Sequence, residues 1–415
     1  MRIYAASYVL PITAPPVAGG AIAVDKGRIV SIGSLNDVRQ QFAAPVEEYP
    51  DCILMPGLIN AHTHLELSHF PAWRLRHGLH YSPRSYVDWI IQVIKVKRCL
   101  DSAELSASLL EGMKICLQSG TTMIGDFLSD RRLLPVYENA AISGRVYLEF
   151  IGQDPARFNS LLASIDEDIH QLPVPFLPGI APHAPFTVSK QLLQSLLEIA
   201  RHKGLPLSTH LAESPAENDF FRDSTGSIAA DLYPFAGWQE YLPRPQLVTP
   251  TGWLAAANAL GPDLLLAHGV HLGKNDLELL QKSGSTIVLL PRSNENLAVG
   301  RAPAALLLKA GIPLALGTDS LASNDSLSLW DEMRFLLDTF PQQFTPADAF
   351  SMATINSARA IKRDGDAGSL EPGKQADFIV VKPVNRPAAA RIYEQLLEDA
   401  RVMAVWCKGQ GVIAA

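Results

Sequence analysis

Residues 60–68 read NAHTHLELS and close the apolar run 53–59, ILMPGLI. His62 and His64 stand two residues apart, the spacing that sends both side chains to the same side of an extended strand. Two imidazoles projecting together from a strand end can hold a metal ion. A His-x-His pair also occurs as surface or core histidines, so the reading depends on whether the chain supplies further ligands.

Four more polar residues close short apolar runs: His183 in PGIAPH, His210 in PLSTH, His268 in LLLAH and Asp319 in PLALGTD. With His62 and His64, five of the eleven histidines fall at such positions, and their joint placement favours a metal centre over five separate structural roles. His62, His64, His210 and Asp319 are assigned as ligands. Three neutral imidazoles and a carboxylate suit one divalent ion, Zn²⁺ first and Fe²⁺ or Mn²⁺ next, with a position open for water. Such an ion lowers the pKa of water toward about 7, so hydrolysis at neutral pH is the expected chemistry.

Glu213 follows His210 by three residues in STHLAESPAE and is the acid best placed to carry protons to a substrate. Its competing role is a cap for the next helix. His268 is placed to be a fifth ligand, a base orienting the water or a packed core histidine. Its rival His271 lies beyond the apolar run.

These side chains converge only if the strands that carry them converge. Strand candidates are 53–60, 120–127, 144–152, 178–183, 206–210, 264–268, 286–291 and 313–319, alternating with helical patterns such as 102–118, 189–202 and 274–282. About eight strand-then-helix units imply an α/β fold, a closed (β/α)₈ TIM-type barrel with its active site where the strands end. Glycine- and proline-bounded β-like runs near both termini imply a small antiparallel β domain built from the two chain ends. The expected division is 1–54 and 361–415 for the small domain and 55–360 for the barrel.

A hydrophobic content of 47% and a charged content of 19% describe a chain with a substantial core. The net charge of -7 is mild and no basic run occurs, which argues against a nucleic acid polymer as partner. Four scattered cysteines without CxxC spacing, an amino terminus without a leader pattern and no apolar run of about 18 residues point to a reducing, cytoplasmic setting away from membranes.

The stretches MPGLINAHTHLELS, STHLAESPAE, LLLAHGVHL and LGTDSLASNDSLSLWDEM, with the split β domain, resemble the amidohydrolase superfamily, and within it the mononuclear adenosine-type deaminases and chlorohydrolases. The resemblance implies attack on the ring carbon bearing the amine, with Glu213 protonating the ring nitrogen, His268 orienting the water and Asp319 serving both metal and water. It also implies a small nucleoside-like substrate and suggests a homodimer. Dinuclear barrels of this kind bridge their ions through a carbamylated lysine on the fourth strand. No lysine occurs between Lys114 and Lys190, so one ion is expected.

His183 in APHAPFTVS resembles the family's substrate-contacting histidine, and Ser320, next to Asp319, is grouped with it. Deaminases of S-adenosylhomocysteine and methylthioadenosine hold ribose hydroxyls with an acid after a tryptophan. Here YVDWIIQVIKVKR offers Lys95, Lys97 and Arg98 instead, charges expected to face solvent. The motifs also resemble aminodeoxyfutalosine deaminases, whose substrate joins adenine, a sugar and a benzoate, and this is the best single substrate expectation. Arg145 and Arg292 are the candidates for its carboxylate, Arg292 having an ion pair with Glu295 as its alternative. The proline-rich stretch within 234–253 is expected to form a lid or an interface.

Overall fold

The computed structural model of the chain describes residues 1–79, 83–386 and 388–414. Eight strands follow one another in sequence order around a parallel sheet: Leu58–Thr63, Thr121–Leu128, Ser143–Phe150, Phe176–Pro182, Leu207–Leu211, Leu264–His268, Thr286–Leu289 and Leu314–Leu316. A parallel bridge between Thr63 and Asp319 brings the last strand's end against the first, making this a (β/α)₈ barrel. Its interior is packed by alternate strand residues, among them Ile59, Met123, Phe127, Tyr147, Leu265 and Val288, and is sealed below by Ala358 and Ile361.

The expected first strand, 53–60, divides in two. Residues 53–56 finish a strand of the small sheet, Val46–Pro56, and the barrel strand begins only at Leu58. Gly57 makes the passage between them. A Cβ there would lie 2.1 Å from Thr122 Oγ1, so only glycine fits.

The small sheet runs in the order 410–414, 401–407, 378–382, 46–56, 2–9, 20–25, 28–34, mixing strands from both chain ends. It is not wholly antiparallel, because Arg2–Val9 pairs in parallel with Val46–Pro56. The short helix Leu35–Gln41 supplies the crossover that parallel pairing requires.

Helices surround the barrel where the periodicity placed them. The helix Ser102–Gln118 starts at a reciprocal cap between Asp101 and Glu104, and Lys190–Lys203 runs from a Ser189 cap to Gly204 at φ 64°. No helix among the described residues is long and apolar enough to cross a membrane.

The seam between first and last strands is specific. The Asp319 amide donates to the His62 carbonyl at 3.1 Å. Asn60 Nδ2 donates to Thr318 Oγ1 at 2.7 Å, while Asn60 Oδ1 accepts from the Thr318 amide at 3.1 Å. Both residues are wholly buried. Replacing Asn60 by Ala strips both bonds from Thr318, and denaturant unfolding of metal-free protein should show a loss of about 1–3 kcal/mol. An unchanged midpoint would contradict this role for the seam.

Candidate metal centre

Simple alternation would turn His62 away from Ile59 and Ala61, which face the barrel interior. The ladder with the second strand is irregular between Asn60 and Thr63, and this shift in phase brings His62 inward against Phe127, with ring centroids 4.5 Å apart. A second phase change occurs at His268. It follows the inward Ala267 and adopts φ 72°, while Asp319 at the seam has φ 62°. Left-handed backbone at two non-glycine residues is costly and marks places where surroundings dictate side-chain direction.

The result is a cluster of ligand atoms. His62, His64 and Asp319 offer one atom each within 4.8 Å of one another, as do His62, His210 and His268. Nε2 of His64 lies 3.2 Å from Nε2 of His210. Asp319 Oδ1 lies 3.8 Å and 3.7 Å from the Nε2 atoms of His62 and His64. Burial first, and neighbouring imidazoles next, hold His62, His64 and His210 well below the ordinary histidine range, so all three are neutral and fit to coordinate.

The outer contacts aim these groups. His210 Nδ1 donates to the His183 carbonyl at 2.7 Å, leaving Nε2 bare. Asp319 Oδ2 accepts from Ser293 at 2.8 Å and Ser323 at 2.7 Å, which turns Oδ1 toward the imidazoles. Buried Asp126 accepts from Thr63 at 2.8 Å and from the Leu65 amide at 3.0 Å, fixing the turn that presents His64. Both nitrogens of His62, His268 Nε2 and Glu213 Oε1 are buried without hydrogen-bond partners among the described residues. Unmatched buried polar atoms are rare, and so many in one place fit a bound cation with its water.

Glu213 is free for chemistry because the next helix is capped by other groups. Glu217 accepts from the amides of Ala212, Glu213 and Ser214, at 3.0, 2.7 and 3.2 Å. Glu213 Oε2 instead accepts from the Tyr86 hydroxyl at 2.7 Å and lies 3.6 Å from His268 Nε2. Burial, with Asp319 alongside, pushes the Glu213 carboxyl up to about 8. His268 is oriented by Asn294 at 2.9 Å, whereas His271 meets the Val299 carbonyl at 2.6 Å, away from the cluster.

The model of the amidohydrolase family matches residues 53–412. The chain belongs to this family. It is thus a hydrolase of the class acting on C–N bonds, in a metal-dependent family. This amidohydrolase is 30% identical to a 5-methylthioadenosine/S-adenosylhomocysteine deaminase of Syntrophobacter fumaroxidans, over 92% of this chain and 86% of that one. It is 29% identical to an aminodeoxyfutalosine deaminase of Deinococcus radiodurans, over 78% and 77%. A zinc-bound adenosine deaminase from Xanthomonas campestris superposes with a TM-score of 0.79 at 25% identity, covering 100% of this chain and 93% of that one. The aminofutalosine deaminase of Helicobacter pylori has the same fold, with a TM-score of 0.85 at 21% identity, covering 99% of this chain and 100% of that one.

A cavity opens above the cluster, and His183, Ser320, Glu213 and His268 all line it. Arg145 and Arg292 do not. Arg145 lies near the start of the third barrel strand, at the opposite mouth, where it donates to the carbonyls of Ile361 and Pro178. Arg292 is held by ion pairs with Asp325 and Glu332, while Glu295 pairs with Arg301. Neither arginine reaches the cavity. Lys97 corrects the solvent-facing expectation, since it lines the cavity and donates to Glu66 and Ser129, each at 2.5 Å. Lys95 and Arg98 are exposed, as expected, and lie over the Phe235 ring.

The roof is the helix Tyr86–Lys97 together with Leu232, Ala236 and Trp238, so of the 234–253 region the early residues line the cavity and the prolines that follow do not. Sequence reasoning passed over Tyr86, Glu149, Ser293 and Asn294. Asn294, in PRSNENL directly after the seventh strand, carried the clearest available signal. Elemental analysis of the purified chain should return one divalent ion, and His210→Ala or Asp319→Ala should lose it. Full metal content in either variant would contradict this ligand set.

Proposed function

We propose that this amidohydrolase deaminates a 6-aminopurine nucleoside to its 6-oxo product, releasing ammonia. The observation that carries the reading is Glu213 set beside His268, Oε2 to Nε2 3.6 Å, with Glu213 Oε1 and His268 Nε2 both buried and unmatched next to a cluster of neutral imidazoles. A site for metal storage or sensing needs no such acid–base pair. The names of the adenosine-type deaminase relatives support the same chemistry.

In this reading His62, His64, His210 and Asp319 hold one ion, with zinc favoured by these donors and by the zinc-bound relative. When bound, the ion supplies an acidified water at neutral pH. His268, fixed by Asn294, accepts a hydrogen bond at bare Nε2 and so orients the attacking water. Glu213, protonated within its buried setting, gives its proton to the ring nitrogen next to the aminated carbon, so negative charge does not build on the purine. Recharged from the attacking water, it can then protonate the departing amine.

Tyr86 donates to Glu213 Oε2, the oxygen 3.6 Å from His268 Nε2, and so fixes the carboxyl in place and leaves Oε1 without a partner. Nδ1 of His183 lies 2.9 Å from the Thr187 hydroxyl, which steadies the ring toward the amine or the sugar, and Ser320 lies on the same wall.

For the substrate itself, aminodeoxyfutalosine is proposed first, supported by the Deinococcus radiodurans relative and by cavity walls of Trp89, Ile90, Val93 and Trp238 that suit an aromatic 5′ extension. The positions of Arg145 and Arg292 remove the argument from its carboxylate. Methylthioadenosine is the second reading, favoured by the same apolar walls and the Syntrophobacter fumaroxidans relative. Metal-loaded protein should release ammonia from members of an adenosine-type panel containing both. Glu213→Gln should keep its ion and lose turnover by about 10²-fold or more. Silence across the panel, or normal turnover in that variant, removes the proposal.

A further inference from the structure

The third barrel strand carries Arg145, Tyr147 and Glu149 at alternate positions, and Glu149 stands near its carboxyl end on the cavity wall. Glu149 Oε1 is buried and meets no hydrogen-bond partner among the described residues. Leaving a carboxylate oxygen dry and unmatched is costly, and such atoms are uncommon outside functional sites. Lys97 lines the same cavity from the roof helix. It places two of its three ammonium N–H groups on Glu66 and Ser129 and so has one left to give.

Glu213, His268 and Asp319 follow or end the fifth, sixth and last barrel strands. Glu149, His183 and Lys97 line the opposite wall of the same cavity, where the remainder of a purine nucleoside held at its aminated carbon has room to lie.

We infer that Glu149 and Lys97 form the subsite for the sugar's vicinal hydroxyls, one hydroxyl donating to Glu149 Oε1 and its neighbour accepting from Lys97 Nζ. This rests on the nucleoside deaminase reading and adds to it residues that select the sugar. One acceptor beside one donor matches a diol. A substrate carboxylate would face Glu149, and an ammonium would face Lys97. The subsite takes from the third strand the acid that the roof helix lacks after Trp89.

The test compares the best nucleoside of the panel with its 2′,3′-dideoxy counterpart on metal-loaded protein. Wild type should favour the diol by about 10²-fold or more in kcat/KM, because the dideoxy sugar leaves Glu149 unmatched. In Glu149→Ala, confirmed to retain its ion, that ratio should fall to a few-fold, mainly through a higher KM for the diol. Binding of the product nucleoside, followed by calorimetry, should weaken in parallel, a readout independent of turnover. Glu149→Gln, which keeps an acceptor oxygen and the side-chain shape, should lie between the two.

Equal turnover of both sugars by wild type, or undiminished discrimination in Glu149→Ala, overturns the sugar subsite while leaving the deaminase reading standing. Release of ammonia from no nucleoside at all overturns both.

Discussion

The closure of the barrel between its first and last strands is the constraint on which the site depends. His62 and Asp319 are 257 positions apart in the chain, yet the Asp319 amide donates to the His62 carbonyl at 3.1 Å. Asn60 and Thr318 repeat the join one step below. Gly317 leaves room for it, since a Cβ there would stand 3.0 Å from the backbone of His62. Two halves of a coordination sphere thereby meet through backbone geometry, before any ion contributes.

The electrostatics follow from where that join sits. Burial strips water from four imidazoles and favours their uncharged forms, which is the state a cation needs in its ligands. The same burial, with Asp319 alongside, raises the carboxyl of Glu213 to about 8. Asp319 stays with two serine hydroxyls on one oxygen and the imidazoles near the other. In one dry environment the two acids thus meet different hydrogen bonds, a phenol on Glu213 and two serine hydroxyls on Asp319.

Much of this was legible in the amino-acid sequence, because strand ends in a parallel barrel all lie at one mouth. Apolar runs ending in His183, His210, His268 and Asp319 announced both the barrel and its contents. The same rule, applied to position within a strand, separates Arg145 from Glu149. One begins its strand and so lies at the far mouth, while the other nearly ends it. What periodicity could not reveal were departures from periodicity. The irregular ladder at His62, the left-handed backbone at His268 and the division of 53–60 at Gly57 all depend on contacts with distant chain. Lys97 escaped for a related reason: a long aliphatic stem lets a residue near a helix end reach inward to Glu66, and a helical pattern alone does not fix that reach.

The roof helix ties together three separate parts of the molecule. Its first residue, Tyr86, steadies the acid, Trp89 is hooked to the carbonyl of Ala322 at 2.8 Å, and Lys97 is anchored to the turn after His64. Any outward swing that widened the entrance would unhook the indole and withdraw the phenol from Glu213 in the same movement. One element therefore carries both the roof of the cavity and the hydrogen bond on Glu213, so the position of the one fixes the orientation of the other.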